Sequence, residues 1–127
     1  MKDEVEKLGR VAYLASRSGY NEDNKGEYRA LGRHILKAIA DALGLVRGQY
    51  DIRWNPGGIA VSGDHTLHTD KLYLALHDNC GFGFFYYRSC KGRKDYAGGP
   101  NQNVRWADLR AMGIDGLAAK IKQKGLA

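Results

Sequence analysis

The hydrophobic period of this chain changes at residue 49, and that change constrains the fold more than any other feature. Upstream, Tyr28, Leu31, Ile35, Ile39 and Ala42 recur at helical spacing. They predict an amphipathic helix over about residues 27–43, with Gly44 as its C-terminal cap. Downstream, Tyr50, Ile52 and Trp54 alternate with Asp51 and Arg53, the period of a strand with one buried face. Two periods in separate blocks require helices and an antiparallel sheet that cover one another.

The rest of the chain extends both blocks. Asn55-Pro56-Gly57-Gly58 is a strong turn, and Ile59 and Val61 continue a second strand, so residues 50–62 read as a hairpin. Leu72, Leu74 and Leu76 mark a third strand, Asp78-Asn79-Cys80-Gly81 is turn material, and Phe82 to Ser89 reads as a fourth. At the N-terminus, Val5, Leu8, Ala12 and Ala15 suggest a helix over about residues 2–17, followed by a polar break at 18–26. After the strands, Val104–Met112 and Ile114–Lys124 read as helix, broken at Gly113. The expectation is a two-layer α+β fold: two N-terminal helices, a four-stranded antiparallel meander and C-terminal helices. It forms one domain over residues 1–127, with 1–17 and 120–127 loosely packed.

Composition excludes some classes. With 43% hydrophobic and 27% charged residues in 127 positions, the chain is an ordinary single globular domain. No stretch approaches the ~18 apolar residues of a membrane span, and the N-terminal MKDEVEKLGR has no apolar signal core. The two cysteines, Cys80 and Cys90, are too few for a disulfide framework, which points to a reduced cytoplasm. The net charge of +6 is unevenly placed: residues 1–87 hold eleven basic and eleven acidic side chains, residues 88–127 nine and three. Such an excess attracts polyanions.

The excess begins beside CKGRKDYAGGPN, residues 90–101. Arg88, Lys91, Arg93 and Lys94 supply cations and Tyr96 a ring that can stack a base. Gly92, Gly98 and Gly99 would let backbone N–H groups approach an anion. The helix expected from residue 104 would point its N-terminal dipole at the same place. These residues are the expected site for nucleic acid or another anion; the plain alternative is a solvated turn. A second basic row, Arg29, Arg33 and Lys37, is spaced by four along the 27–43 helix. Taken alone it reads as the wet face of an amphipathic helix.

Other motifs are weaker. Cys80 to Tyr87, CGFGFFYY, matches the glycines and aromatics of an RNA-recognition-motif strand. It lacks the cation and the valine, and the order of elements is wrong for that fold. Residues 63–70, GDHTLHTD, offer Asp64, His65, His68 and Asp70 as metal ligands for a small nuclease or phosphoesterase. On a strand, however, His65 and His68 would face opposite ways. A hairpin connection with Thr-type turn bonds is the favoured reading. A Cys90–His77 nucleophile pair is conceivable from residue type alone. Walker, GxSxG, HExxH and paired CxxC signatures are missing, and no cofactor or metal is called for.

The blocks GGIAVSGDHTLHTDKLYL and CKGRKDYAGGPN together resemble a family of small uncharacterised proteins encoded by bacteriophages, prophages and mobile elements. The resemblance covers about residues 45–105. It carries over no catalytic residue and implies a setting, the cytoplasm of an infected bacterium, where such proteins often act on host nucleic-acid machinery or block host defence. The expected function is therefore non-enzymatic binding of nucleic acid, nucleotide or a host nucleoprotein defence complex, with anti-CRISPR-type inhibition as one version. A homodimer is compatible with the sequence and no membrane association is expected.

Overall fold

The computed structural model describes residues 22–55, 64–77, 84–95 and 98–126. Helix α1 (Glu22–Ala42) leads into five strands, β1 (Asp51–Asn55), β2 (Asp64–His68), β3 (Leu72–His77), β4 (Phe84–Ser89) and β5 (Gln102–Arg105), and helix α2 (Trp106–Gln123) closes the order. The strands pair only with their sequence neighbours, antiparallel throughout, as one five-stranded meander. The class is α+β.

Helix α1 buries the face its period foretold. Ile35, Leu36, Ile39 and Ala40 are wholly buried, whereas Arg33 and Lys37 are exposed. At its end the Leu45 N–H donates to the Ala40 carbonyl (3.0 Å) and the Gly44 N–H to that of Asp41 (3.0 Å), with Gly44 at φ 76. That is a Schellman cap, whose left-handed position favours glycine.

Register decides which sheet residues meet the helices. Ile52, Leu67, Leu74 and Tyr87 stand in one cross-strand row, and Trp54, His65 and Leu76 in another. Their face carries the core shared with Ile35, Ile39, Leu109, Leu117 and Ile121. Burying each such aliphatic side chain contributes about 1.5–3 kcal/mol. Helix α1 lies against β1 and β2, α2 against β5, and the two helices touch. At Gly32 the approach of α1 is close: a Cβ there would stand 2.8 Å from His65 Nδ1. Strands β2 and β3 are buried on both faces, Thr66, His68, Tyr73 and Ala75 as well as the leucines.

Four expectations need correction or placing. The sheet has five strands, not four. The second strand is Asp64–His68, the stretch read as a hairpin connection, while Ile59 and Val61 lie outside the described residues. Pairing of this stretch with both β1 and β3, and the burial of His65 to His68 on both faces, outweigh its turn-forming composition. Residues 102–105 form β5 rather than the start of a helix, because Val104 pairs with Phe85 and is buried in the core. The helix expected over 2–17 lies outside the described residues. The break at Gly113 is present: α2 is two helical segments joined there, at φ 73 and ψ 172. Near the C-terminus Ile121 is fully buried, while Lys120, Lys122 and Lys124 are exposed.

Candidate functional site

The 88–101 segment is tied down more than its composition suggests. Arg88 stacks its guanidinium over Tyr73 (4.8 Å to the ring centre) and Tyr86 (5.9 Å) and donates to Asn101 Oδ1 (3.2 Å). Arg93 reaches across the end of the sheet. It donates to the Gly48 carbonyl, its Nη1 lies 3.8 Å from Asp51 Oδ2, and its Nε lies 3.4 Å from Asp70 Oδ1, within ion-pair range but not aligned for a hydrogen bond. Lys91 and Lys94 are exposed on a tight turn closed by Gly92 and Asp95. Tyr96 lies outside the described residues.

The glycines and the helix dipole serve other ends. A Cβ on Gly98 would stand 1.7 Å from the Ser89 carbonyl oxygen, and the Gly99 N–H donates to Ser89 Oγ (2.8 Å). The pair is glycine so that the returning chain can lie against the end of β4. The N-terminus of α2 was expected beside the loop. Arg105 pairs with Phe84, so α2 starts at the opposite end of β4, roughly 17 Å from Ser89 at the usual strand rise. Helix dipole and loop cations do not converge.

The 64–70 stretch is a strand and a turn. His65 lies on the face toward the helices, opposite Trp54 and Leu76, and His68 on the other face, opposite Asp51 and Tyr73. Burial, with Arg33 and Arg29 nearby, lowers the His65 pKa from 6.5 to about 4. Its Nδ1 is buried without a hydrogen-bond partner among the described residues. Burial and Arg53 lower His68 to about 4, against a smaller opposing pull from Asp51, and its Nε2 lies 2.7 Å from Thr66 Oγ1. Thr69 Oγ1 accepts the N–H groups of Lys71 (3.1 Å) and Leu72 (2.9 Å), the Thr-type turn anticipated. Among the described residues no three His, Cys, Asp or Glu side chains converge as a metal site.

The nucleophile pair also dissolves. The Cys90 thiol donates to the Thr69 carbonyl (3.4 Å), and burial pushes its pKa up, which disfavours the thiolate. Its N–H donates to Lys71, before β3, while His77 ends that strand, roughly 20 Å away at the strand rise. In CGFGFFYY, Phe85 and Tyr87 are core residues and Cys80 to Gly83 lie outside the described residues. A sequential meander is also not the strand order of an RNA-recognition motif.

A different surface gathers charge. Helix α1 lies against edge strand β1, and its basic row lies along that strand. Arg29 covers the Trp54 ring (5.5 Å to its centre), an exposed cation–π contact of about 0.5–1 kcal/mol. Arg33 and Lys37 line an open cleft of ≈ 480 Å³ with Arg47, Tyr50, Asp51 and Ile52. None of Arg33, Lys37 and Arg47 has a carboxylate partner among the described residues. The one acid in the cleft lining, Asp51, is held by Arg53 (3.5 Å) and Arg93 (3.8 Å). Arg93 thus joins two regions that the chain keeps 45 residues apart. It ties the 91–94 turn to Gly48 at the mouth of the cleft, so that Lys91 and Lys94 extend the same basic end of the sheet.

Chemically, this surface can hold a polyanion; among the described residues nothing in it supplies a nucleophile with an adjacent base. Comparison with known proteins adds no further direction: no protein-family model matches the chain, and neither a curated protein nor a solved structure matches it.

Proposed function

We propose that this chain is a non-enzymatic nucleic-acid-binding protein that engages the phosphate backbone through the α1–β1 cleft and the 91–94 turn. One observation carries the reading: Arg33, Lys37 and Arg47 line a single cleft, and Arg93 neutralises the acid within it. Cations without carboxylate partners among the described residues, concentrated in a concavity, raise the local potential for phosphates. Arg88 and Arg93, expected as direct contacts, act here by positioning and by cancelling negative charge, while Lys91 and Lys94 remain direct contacts.

The metal-dependent nuclease or phosphoesterase alternative has less support, because His65 and His68 leave opposite faces of β2. The setting we infer, from the resemblance to proteins of phages and mobile elements, is the bacterial cytoplasm. There the partner is host nucleic acid or a nucleoprotein defence complex that carries it. A basic surface argues against mimicry of DNA.

The test is salt-dependent binding to a labelled oligonucleotide. Each lost phosphate contact lowers the slope of log K against log salt by about 0.7–0.9. The triple variant Arg33→Ala, Lys37→Ala, Arg47→Ala is therefore expected to lower it by about 2–3, and Lys91→Ala with Lys94→Ala by about 1–2. Absence of binding at low salt, or slopes unchanged in both variants, would refute the proposal.

A further inference from the structure

We infer that the nucleic acid taken by this cleft is single-stranded, with a base stacked on Trp54 in place of the Arg29 guanidinium. The inference rests on the polyanion-binding reading above and goes beyond it, since charge alone does not distinguish a single strand from a duplex. Tyr50, just before β1, and Ile52 and Trp54 on it pack against the core shared with α1, half-buried at the edge of the sheet. The cationic row Arg29, Arg33, Lys37 runs beside them. Cations beside a row of rings is how single strands are held: phosphates against the charges, bases against the π faces. In a duplex those faces are stacked on one another and unavailable.

Trp54 is built as a platform. Its ring meets His65 edge-on, with centres 5.2 Å apart and planes at 71°. His65 is in turn fixed by the close approach of α1 at Gly32, so the indole is supported from the core side. What covers it among the described residues is Arg29, an exposed side chain on a flexible stem. A guanidinium is planar and occupies the place a stacked base would take. Once displaced it remains beside the ring, free to pair with the phosphate of the incoming nucleotide. The same side chain would then shield the platform when empty and clamp the strand when full.

The experiment compares ligands of equal charge and different base exposure: oligo-dT, oligo-rU, a mixed-sequence duplex and heparin, a polyanion without bases. Binding is read by fluorescence anisotropy for wild type, Trp54→Phe and Trp54→Leu, with far-UV circular dichroism melts confirming that each is folded. Leucine keeps apolar bulk and removes the π face; phenylalanine keeps both. Wild type is expected to bind the single strands more tightly than the duplex. Trp54→Leu is expected to weaken single-strand binding by roughly 5- to 150-fold and leave heparin unchanged, with Trp54→Phe close to wild type. Equal wild-type affinity for duplex and single strands would overturn the inference, as would Trp54→Leu weakening heparin as much as oligo-dT. Either result leaves the polyanion reading standing, whereas failure of wild type to bind any of the four removes both.

Discussion

At Gly32 helix α1 lies close against the sheet, and replacing this glycine with alanine opposes two effects of known size. In a helix interior, Gly→Ala is favourable by about 0.8–1.0 kcal/mol through backbone entropy alone. Against it stands geometry: the new Cβ would lie 2.8 Å from His65 Nδ1 and 3.6 Å from Leu76 Cδ1. The imidazole cannot swing away, because it is 1% exposed and its ring is packed against Trp54. Relief must come from lifting α1 off a core in which Ile35, Leu36 and Ile39 are fully buried. Overpacking of this kind costs about 1–3 kcal/mol, so the net expectation for Gly32→Ala is a loss of up to about 2 kcal/mol. The same substitution in a His65→Ala background meets no ring and is expected to be neutral or stabilising by up to about 1 kcal/mol. Urea unfolding of all four members of the cycle, followed by far-UV circular dichroism, gives the coupling energy. If Gly32→Ala stabilises the otherwise unaltered protein, or has the same effect in both backgrounds, the contact does not govern how α1 seats.

The remaining predictions concern pH and the 98–101 chain. His65 and His68 have pKa values near 4 when folded, against 6.5 unfolded. Between those values the unfolded chain binds protons that the folded one refuses, so stability is full above pH 6.5, falls as pH drops toward 4, and levels off below. The ceiling is about 3 kcal/mol for each histidine. Urea midpoints measured from pH 7 to 4 should show the decline, and His65→Phe should reduce it; a flat profile would contradict the burial of both rings. At Gly98 a Cβ would meet the Ser89 carbonyl oxygen at 1.7 Å. Gly98→Ala should therefore displace the return chain and cost about 2 kcal/mol or more in a thermal melt, and an unchanged melting curve would rule out that packing.

Several features were legible because they are local. The α1 face, its Gly44 cap, the alternation at 50–54 and 72–76, the opposed histidines and the Gly113 break each depend on residues within a turn or two. Two misreadings had a common origin. Residues 64–68 have turn-like composition yet form a central strand, and residues 104–105 read as the start of a helix yet pair with β4, because partners distant in sequence supplied the missing hydrogen bonds and burial. The loop at 90–101 depends on the same kind of distant partner. Its cations and glycines are real, but Arg93 answers Asp51 and Asp70, Arg88 answers Tyr73 and Tyr86, and Gly98 answers Ser89. Only contacts across the fold reveal which charges are already engaged.

Charge shows the division most clearly. Summed along the chain, residues 1–87 are neutral and the cationic excess belongs to the last forty residues. By itself the sequence determined that α1 carries a basic row on the side away from its apolar face, since helical geometry spaces Arg29, Arg33 and Lys37 along one stripe. Only the tertiary structure decided what that row adjoins. Seating the Ile35 and Ile39 face on the sheet turns the stripe along edge strand β1, beside Trp54 and Tyr50, where the acid lining the cleft, Asp51, is already paired with Arg53 and Arg93. Hydrophobic period is a property of neighbours in sequence and can be read there. Electrostatic potential depends on distances in space, and those exist only once the core has closed.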